Sequence, residues 1–319
     1  MRAGRPPVGS HQSGSGDDER VSTPTVMGSM TRPARRWLLN SLRQRVAGSD
    51  AEAKARAIWT AEGARWFCES DPIWRVHDDA SMFVGGIRAL LLQSLHPLAM
   101  AGVAGHSGYR SDPWGRLQRT STFLATTSFG TIEDAEAAIA TVRGIHERVR
   151  GRTPDGRPYA ASDPHLLSWV HAAEADSFLA AYRRFGGGRL SPADEDGYVA
   201  QSALVAERLG AVDSPRTVAE LEATMARYRP ELVGATEARE AARFLLLQPP
   251  LGWSEKPGYA ALAGGGVALL PVWAKEMLRL PVLPVTERLV SLPVAEAAVR
   301  TIRWAITDPS HPRRDAQSA

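Results

Sequence analysis

The sequence predicts an all-α fold in a single domain that spans about residues 34–307. Apolar residues recur at helical spacing through most of the chain, and Pro, Ser, Thr and Asp supply helix starts at regular intervals. No stretch alternates with the period of a strand over a useful length. Residues 1–33 are rich in Gly, Ser, Pro and charge, so this segment and the tail 308–319 are predicted to be disordered.

Composition narrows the functional class. The chain has 319 residues, is 44% hydrophobic and carries a formal net charge of +3, which suits an ordinary globular protein. Its arginines are scattered and lack interleaved aromatics, which argues against nucleic-acid binding. Cys68 is the single cysteine, so the chain has no intramolecular disulfide framework. This cysteine content is consistent with a protein of a reducing compartment.

Targeting signals are not evident in the sequence. Residues 1–33 contain no apolar stretch of the signal-peptide type, and no run of 18 apolar residues occurs. We therefore expect a cytoplasmic protein. The segment Leu262–Leu283 comes nearest to a spanning helix, but prolines and charged residues interrupt it, so peripheral membrane contact through this segment is an alternative.

Helix boundaries follow from capping residues and prolines. Thr131 is a good N-cap because carboxylates follow it in the first turn, and Asp163-Pro164 and Ser191-Pro192 are similar starts. The turn sequence Pro154-Asp155-Gly156 predicts a small hairpin within 151–162. The predicted helices cover 34–47, 51–69, 85–95, 113–127, 131–150 and 164–185, followed by helices that start at Ser191, Ser214 and Thr236 and a last helix at 294–306.

The run from Gly85 to Pro97 is the most informative stretch. It is apolar almost all round, which predicts a buried helix, yet it contains Arg88, Gln93 and His96. Pro97 disfavours the α conformation at the preceding residue, so the helix is expected to break at His96. A buried helix that breaks beside a histidine indicates a cavity, and the glycine-spaced run 101–107 allows close backbone approach to a neighbour or ligand.

His146 falls on the apolar stripe of its helix. The stripe runs from Ala135 to Val149 in steps of four and three, and Arg143, three residues before His146, is expected to project to nearly the same side. A histidine buried beside an arginine is expected to be neutral, with one nitrogen free to bind. The alternative is a core histidine that is bonded to a backbone carbonyl.

Two arginines lie on the helix from 113 to 127. Arg116 and Thr120 are four residues apart and share a face, and Arg119 and Phe123 form a parallel pair. If these arginines are buried they need anionic partners, whereas a solvated basic edge is equally consistent with the spacing.

His171 and Glu174 form a His-x-x-Glu pair that could belong to a di-iron bundle. Such a bundle needs a matching Glu-x-x-His pair on another helix, and the sequence has none. The sequence also lacks the dinucleotide-binding, Walker, zinc-protease and nucleophile-elbow motifs.

Six motifs follow one another along the chain: Gly85-Gly86-x-Arg88-Ala89-Leu90-Leu91-Leu92-Gln93-x-Leu95-His96-Pro97, Gly102-Val103-x-x-His106-Ser107, Asp112-Pro113-x-x-Arg116-Leu117-x-Arg119-Thr120, Phe129-Gly130, Val142-Arg143-x-x-His146 and Asp163-Pro164-x-Leu166-Leu167-x-Trp169-Val170-His171-Ala172. Taken together, these ordered motifs resemble the family of MpaB-type oxygenases and latex-clearing (rubber oxygenase) proteins, over roughly residues 74–250.

The resemblance implies a globin-like helical core that holds haem b. It places the iron ligand at His146, with Arg143 supporting the haem site. His96 and His106 are further candidates for haem contact; the alternatives are that they shape the pocket or only pack. These assignments come from the family and not from spacing.

The resemblance also implies a distal pair, Arg116 and Thr120. Where a lysine of the latex-clearing protein can cap the iron, this chain has Arg119, which stays protonated and is a poor ligand. Ala173 stands where the family often has a threonine, which would remove one hydrogen-bond donor near the pocket.

The function that the resemblance implies is oxidative cleavage of a carbon–carbon double bond. Its substrates would be O₂ and an apolar, isoprenoid- or lipid-like molecule. Arg116, Arg119 and Thr120 would donate hydrogen bonds to oxygen, and Phe83, Ile87 and Leu91 would supply apolar walls. The alternative is a non-catalytic helical module that binds haem or a lipid.

Overall fold

Capping residues start several helices at the predicted positions. The side chains of Asp112, Thr131 and Asp163 each accept a hydrogen bond from a backbone N–H in the first turn. Ser191 and Asp194 form a reciprocal capping box. Because these contacts involve residues only two or three positions apart, the local sequence is sufficient to specify them.

The structure is a computed structural model that describes residues 50–106, 108 and 110–306, together with 35, 39–41, 44, 45 and 48. The predictions for 1–33 and 308–319, and most of the helix predicted at 34–47, lie outside these residues, so the predicted domain bounds stay a prediction. The elements are α1 (Ala51–Thr60), α2 (Pro72–His77), α3 (Met82–Gln93), α4 (Pro97–His106), α5 (Pro113–Phe129), α6 (Ile132–Arg148), β1 (Arg150–Arg152), β2 (Pro158–Ala160), α7 (Pro164–Phe185), α8 (Pro192–Leu209), α9 (Val218–Tyr228), a 3-10 turn (Arg229–Glu231), α10 (Thr236–Leu247), α11 (Lys256–Ala268), α12 (Val272–Met277), α13 (Pro284–Thr286), a π-helical turn (Glu287–Ser291) and α14 (Leu292–Ile306).

The all-α, single-domain prediction is confirmed. In the described residues the strands β1 and β2 form one antiparallel hairpin, in which Arg150 pairs with Ala160, as the turn sequence predicts. The globin-like arrangement that the resemblance implies stays a prediction.

Three predicted boundaries were wrong. The helix that begins at 51 ends at Thr60 and not at 69, because Ala61 is extended and Gly63 has a φ of +143° that favours glycine. The helix predicted from Ser214 begins at Val218, since Thr217 is the residue whose side chain caps it. The last helix, α14, begins at Leu292, directly after a π-helical turn.

The helices α3 and α7 cross at the centre of the core, where Gly85 allows close approach. A Cβ atom at Gly85 would lie 2.7 Å from Cδ1 of Phe178, so the two helices could not pack this closely around a larger residue. Val84, Leu92 and Trp169 are fully buried in the same core, against which α11 and α14 also pack.

Polar residues of α3 also attach it to its neighbours. Arg88 is 4% exposed, and its Nη1 lies 2.7 Å from Oδ2 of Asp176 and 2.8 Å from Oγ of Ser177. Nε of Arg88 donates to the carbonyl of Leu269, and Nε2 of Gln93 donates to the carbonyl of Val170. These side chains therefore link helices in the core.

The predicted break at His96 is present. The axes of α3 and α4 are bent by 107° across the residues that precede Pro97. Among the described residues, no single helix is long and apolar enough to cross a membrane, whereas α3 and α4 together meet that criterion by length and composition alone.

Candidate functional site

A cavity of about 2080 Å³ lies among α3, α5, α6, α7 and α8, and residues of α1, α2, α4, α10, α11 and α14 complete its wall. Pockets for small molecules usually reach at most about 1,000 Å³, so this cavity has room for a large group and a second molecule. On α3 the predicted apolar residues Phe83, Ile87 and Leu91 all line it. Its polar wall residues include His77, His106, Arg116, Thr120, His146, His171 and Glu174.

His146 lines the cavity from α6, in agreement with its position on the apolar stripe. Its side chain is half-buried, and its Nδ1 is fully buried without a hydrogen-bond partner. Burial lowers the pKa of His146 below its usual value, so the imidazole is neutral near pH 7. The prediction of an inward, neutral imidazole with a free nitrogen is consistent with this placement, whereas its role as an iron ligand stays a prediction.

Arg143 does not face the cavity that His146 lines. It is exposed and forms no part of the cavity wall, so the expectation that it projects to the same side as His146 was wrong. Three helical residues rotate a side chain by about 300°, which leaves Arg143 about 60° away from His146 around the helix axis. On a helix that is only half-buried at this end, that rotation is enough to reach solvent.

The two arginines of α5 also lie on different sides of their helix. Arg116 and Thr120 line the cavity, as their shared face predicts. Arg119 points outward, is 64% exposed and pairs with Asp112 at 3.2 Å. The expectation that Arg119 donates to oxygen in the pocket was therefore wrong in its geometry, because one position along a helix turns the side chain by about 100°.

The two further histidine candidates lie in different places. His106, at the end of α4, lines the cavity and lies 3.2 Å from the Tyr159 hydroxyl through its Nε2. His96 is fully buried at the helix break but is not part of the cavity wall. The bend turns its ring toward Trp169 and Tyr228, which favours the alternative that His96 only packs, and its contact with haem stays a prediction.

Ala173 is also outside the cavity wall. It is completely buried in the core, whereas its neighbours His171 and Glu174 on α7 line the cavity. The expected loss of a hydrogen-bond donor near the pocket does not fit this placement, because Ala173 faces neighbouring helices.

His171 and Glu174 place two perturbed ionisable groups one turn apart in the cavity. Burial lowers the pKa of His171 to about 4 and raises the pKa of Glu174 to about 7. Nε2 of His171 is buried without a hydrogen-bond partner. The spacing of His171 and Glu174 is visible in the sequence, whereas their burial and the resulting pKa shifts depend on the tertiary structure.

His77, at the end of α2, is a cavity residue that the sequence analysis missed. Its Nδ1 lies 2.7 Å from Oγ of Ser128 and its Nε2 lies 3.5 Å from the Tyr198 hydroxyl. Burial lowers the pKa of His77 to about 3 and raises that of Tyr198. No sequence motif includes His77, because its partners lie on α5 and α8, far along the chain.

One of three comparisons with known proteins identifies a family. The family described as "ER-bound oxygenase mpaB/B'/Rubber oxygenase, catalytic domain" matches residues 74–304. No curated protein and no solved structure matches the chain. The match covers more than half of the chain and includes every cavity helix from α3 to α8. The chain therefore belongs to the mpaB/B' and rubber oxygenase catalytic-domain family and is an oxidoreductase of the oxygenase type.

Proposed function

We propose that the protein is a haem b-dependent oxygenase that cleaves a carbon–carbon double bond in an apolar, isoprenoid- or lipid-like substrate. One observation carries the proposal: a neutral imidazole, His146, with a buried unpartnered nitrogen, stands at the wall of a cavity of about 2080 Å³. A buried polar atom without a partner is rare in folded proteins and indicates a missing ligand or water.

The residues present fit a haem. Neutral imidazole is a normal axial ligand of haem iron, and His146 would hold the iron. The propionates need cations; the exposed Arg56 lies in the cavity wall, and so does Arg45, whose guanidinium is paired with Glu255 at 2.8 Å. When bound, the haem supplies oxygen activation, which amino-acid side chains alone do not provide.

Arg116 and Thr120 act as hydrogen-bond donors in the cavity. They lie one helical turn apart on α5 and both line the cavity, so a guanidinium group and a hydroxyl group face it from the same side of the helix. Donors that are fixed before the reaction stabilise negative charge as it develops on oxygen. Arg119, the neighbour of Thr120, does not belong to this pair of donors, because its guanidinium binds Asp112 outside the cavity.

Glu174 is the group suited to moving a proton. A carboxyl with a pKa of about 7 is protonated in about half of the molecules at neutral pH, so it can donate or accept at Oε. His171, one turn away, stays neutral and offers a nitrogen that has no other partner. Apolar side chains of α3 line the same cavity, and an apolar lining favours the uncharged form of both groups.

An exposed apolar segment at 282–294 suits contact with a membrane that contains the substrate. Its exposed apolar side chains are Val282, Leu283, Val285, Leu289, Val290 and Val294; the exposed cation Arg288 lies within the segment and the exposed Arg279 precedes it. Part of the segment predicted for this role, 262–278, is instead core, since Leu262, Leu270 and Leu278 are buried. We place the contact at 282–294, whose apolar and basic character favours an anionic bilayer. The helix that continues from it, α14, reaches the cavity wall at Ile302.

An absorption spectrum tests the proposal. The protein reconstituted with haem is expected to show a Soret band that is lost or strongly shifted in His146→Ala. Glu222→Gln is the control, because Glu222 is exposed and lies outside the cavity wall, and its spectrum is expected to match the parent. Failure to bind haem, or an unchanged spectrum in His146→Ala, would overturn the assignment.

Turnover is tested separately. Ferrous haem protein is expected to consume O₂ when a panel of unsaturated isoprenoids and lipids is added. Bound haem without any oxygen consumption would favour the non-catalytic haem- or lipid-binding module over the oxygenase.

A further inference from the structure

We propose that His96, His165 and Glu231 form a second metal site, outside the cavity, that binds Zn²⁺ or a similar divalent transition-metal ion. Each residue offers one ligand atom, and these atoms all lie within 4.8 Å of one another. Two imidazoles and one carboxylate are a donor set that zinc accepts, with a fourth position left for water.

The distances suit coordination after small adjustments. Nε2 of His165 lies 2.8 Å from Oε2 of Glu231, and Nε2 of His96 lies 3.5 Å from the same oxygen. Zinc bonds of about 2.0–2.1 Å in a tetrahedron place neighbouring ligand atoms about 3.3 Å apart. Two of the three ligand pairs therefore already have nearly the spacing that a bound ion requires, and the third lies within 4.8 Å.

The burial of His96 is not explained by a simple ion pair between His165 and Glu231. It is 2% exposed, and neither of its ring nitrogens has a hydrogen-bond partner. An ion pair between His165 and Glu231 would account for those two residues, whereas Nε2 of His96 remains 3.5 Å from Glu231, beyond a good hydrogen bond, and Nδ1 of His96 has no partner. A metal ion accounts for all three residues, because it would bind the buried nitrogen of His96 as well.

The Tyr228 hydroxyl orients His165 for this role. It donates to the carbonyl oxygen of His165 at 2.8 Å, so its oxygen is left to accept the N–H of Nδ1, 3.2 Å away. The lone pair of Nε2 then points toward Glu231. Histidine ligands of metals usually have their other nitrogen held in this way.

The three ligands are held by separate backbone contacts. His165 lies in the first turn of α7, where its N–H donates to Asp163 at 2.9 Å. The N–H of Val233 donates to the carbonyl of Leu95 at 2.8 Å, which ties the segment after Glu231 to the residue before His96. The side chains of His165 and Glu231 are exposed by 52% and 41%, which leaves a path for the ion from solvent. The bound ion would join the α3–α4 break to α7 and to the turn after α9.

Zinc and cobalt binding test this site directly. Protein without an affinity tag is stripped with a chelator, then titrated with Zn²⁺ by calorimetry and with Co²⁺ by visible absorption. We expect one ion per chain, visible bands typical of tetrahedral Co²⁺, and a higher Tm when Zn²⁺ is present. His165→Gln and Glu231→Gln are exposed changes that should fold, and each is expected to weaken binding at least tenfold.

Matched variants control for adventitious binding. Glu237→Gln changes another exposed glutamate, and Cys68→Ser removes the exposed thiol. Both are expected to bind Zn²⁺ as the parent does, and so is His146→Ala, which separates this site from the haem proposal. Absence of Zn²⁺ and Co²⁺ binding by the parent, or equal affinity in His165→Gln and Glu231→Gln, would overturn the site.

Discussion

Arg88 and Asp176 form a buried ion pair, 2.7 Å from Nη1 to Oδ2, that joins α3 to α7 at the centre of the fold. The arginine is almost completely buried, while the carboxylate keeps one side toward solvent. Since α3 supplies the apolar wall of the cavity and α7 supplies His171 and Glu174, this pair sets the position of one wall relative to the other.

Replacing Arg88 is expected to destabilise the protein. Arg88→Met leaves Asp176 without its partner, and losing one member of a buried pair costs about 3–5 kcal/mol. Because Asp176 is partly exposed, we expect about 3 kcal/mol, measured by urea unfolding. The double variant Arg88→Met/Asp176→Leu is expected to recover part of this loss, and a loss below about 1 kcal/mol in Arg88→Met would contradict the prediction.

Two adjacent glycines of α3 are expected to respond in opposite directions to alanine. At Gly85 the new Cβ would meet Phe178 and the carbonyl of Ser177, so Gly85→Ala should cost about 1–3 kcal/mol. At Gly86 nothing lies within 4 Å of the Cβ position, so Gly86→Ala should stabilise the helix by about 0.5–1 kcal/mol. Thermal unfolding of both variants checks the pair, and equal effects would refute the close packing of α3 on α7.

The arginines of α5 are expected to differ in their effect on activity. Arg116→Met removes a donor from the cavity wall and should lower oxygen consumption on the order of 10²-fold. Arg119→Met breaks an exposed pair with Asp112 and should change the rate less than about threefold. Steady-state oxygen consumption with haem content measured in parallel distinguishes them; a larger loss in Arg119→Met would contradict the assignment.

Glu174 is expected to make stability depend on pH. Its pKa is raised from 4.5 to about 7 in the folded chain, so the folded state binds the proton more tightly than the unfolded state. Stability should therefore fall as pH rises from about 4.5 to 7, and Glu174→Gln should be more stable than the parent by about 1–2 kcal/mol at pH 8. Urea unfolding at pH 5, 6.5 and 8 measures this.

The comparison variant for that experiment is Glu222→Gln, which changes an exposed glutamate. It is expected to keep the pH dependence of the parent. If Glu174→Gln has the same pH dependence as Glu222→Gln, the carboxyl of Glu174 is not buried as the structure has it.

Membrane contact is expected to depend on the exposed segment 282–294. The protein should float with vesicles that contain about one third anionic lipid and not with neutral vesicles, because apolar and basic side chains act together. Leu289→Asp with Val290→Asp should abolish flotation without loss of stability, since both side chains are exposed. Flotation that is unchanged in this variant would rule out the segment.

Much of the fold could be predicted from the sequence, because helix starts and breaks depend on residues that are close together along the chain. Asp112, Thr131 and Asp163 cap helices through contacts of two or three residues, and Pro97 causes the break beside His96. The apolar stripe of α6 likewise placed His146 toward the interior. These features depend on local hydrogen bonds and helical period, which a single sequence contains.

Tertiary structure alone decided which polar residues share a site. Arg143 and Arg119 match their motifs and yet face solvent, because how far a helix is buried depends on what packs against it. His96 lies beside Glu231 and not in the cavity, since the bend and the contact between Leu95 and Val233 bring distant segments together. The pKa of Glu174 depends on burial by several helices. Period and motif therefore determined the helices and the inward side of His146, whereas long-range packing determined the cavity, its electrostatics and the second cluster of ligands.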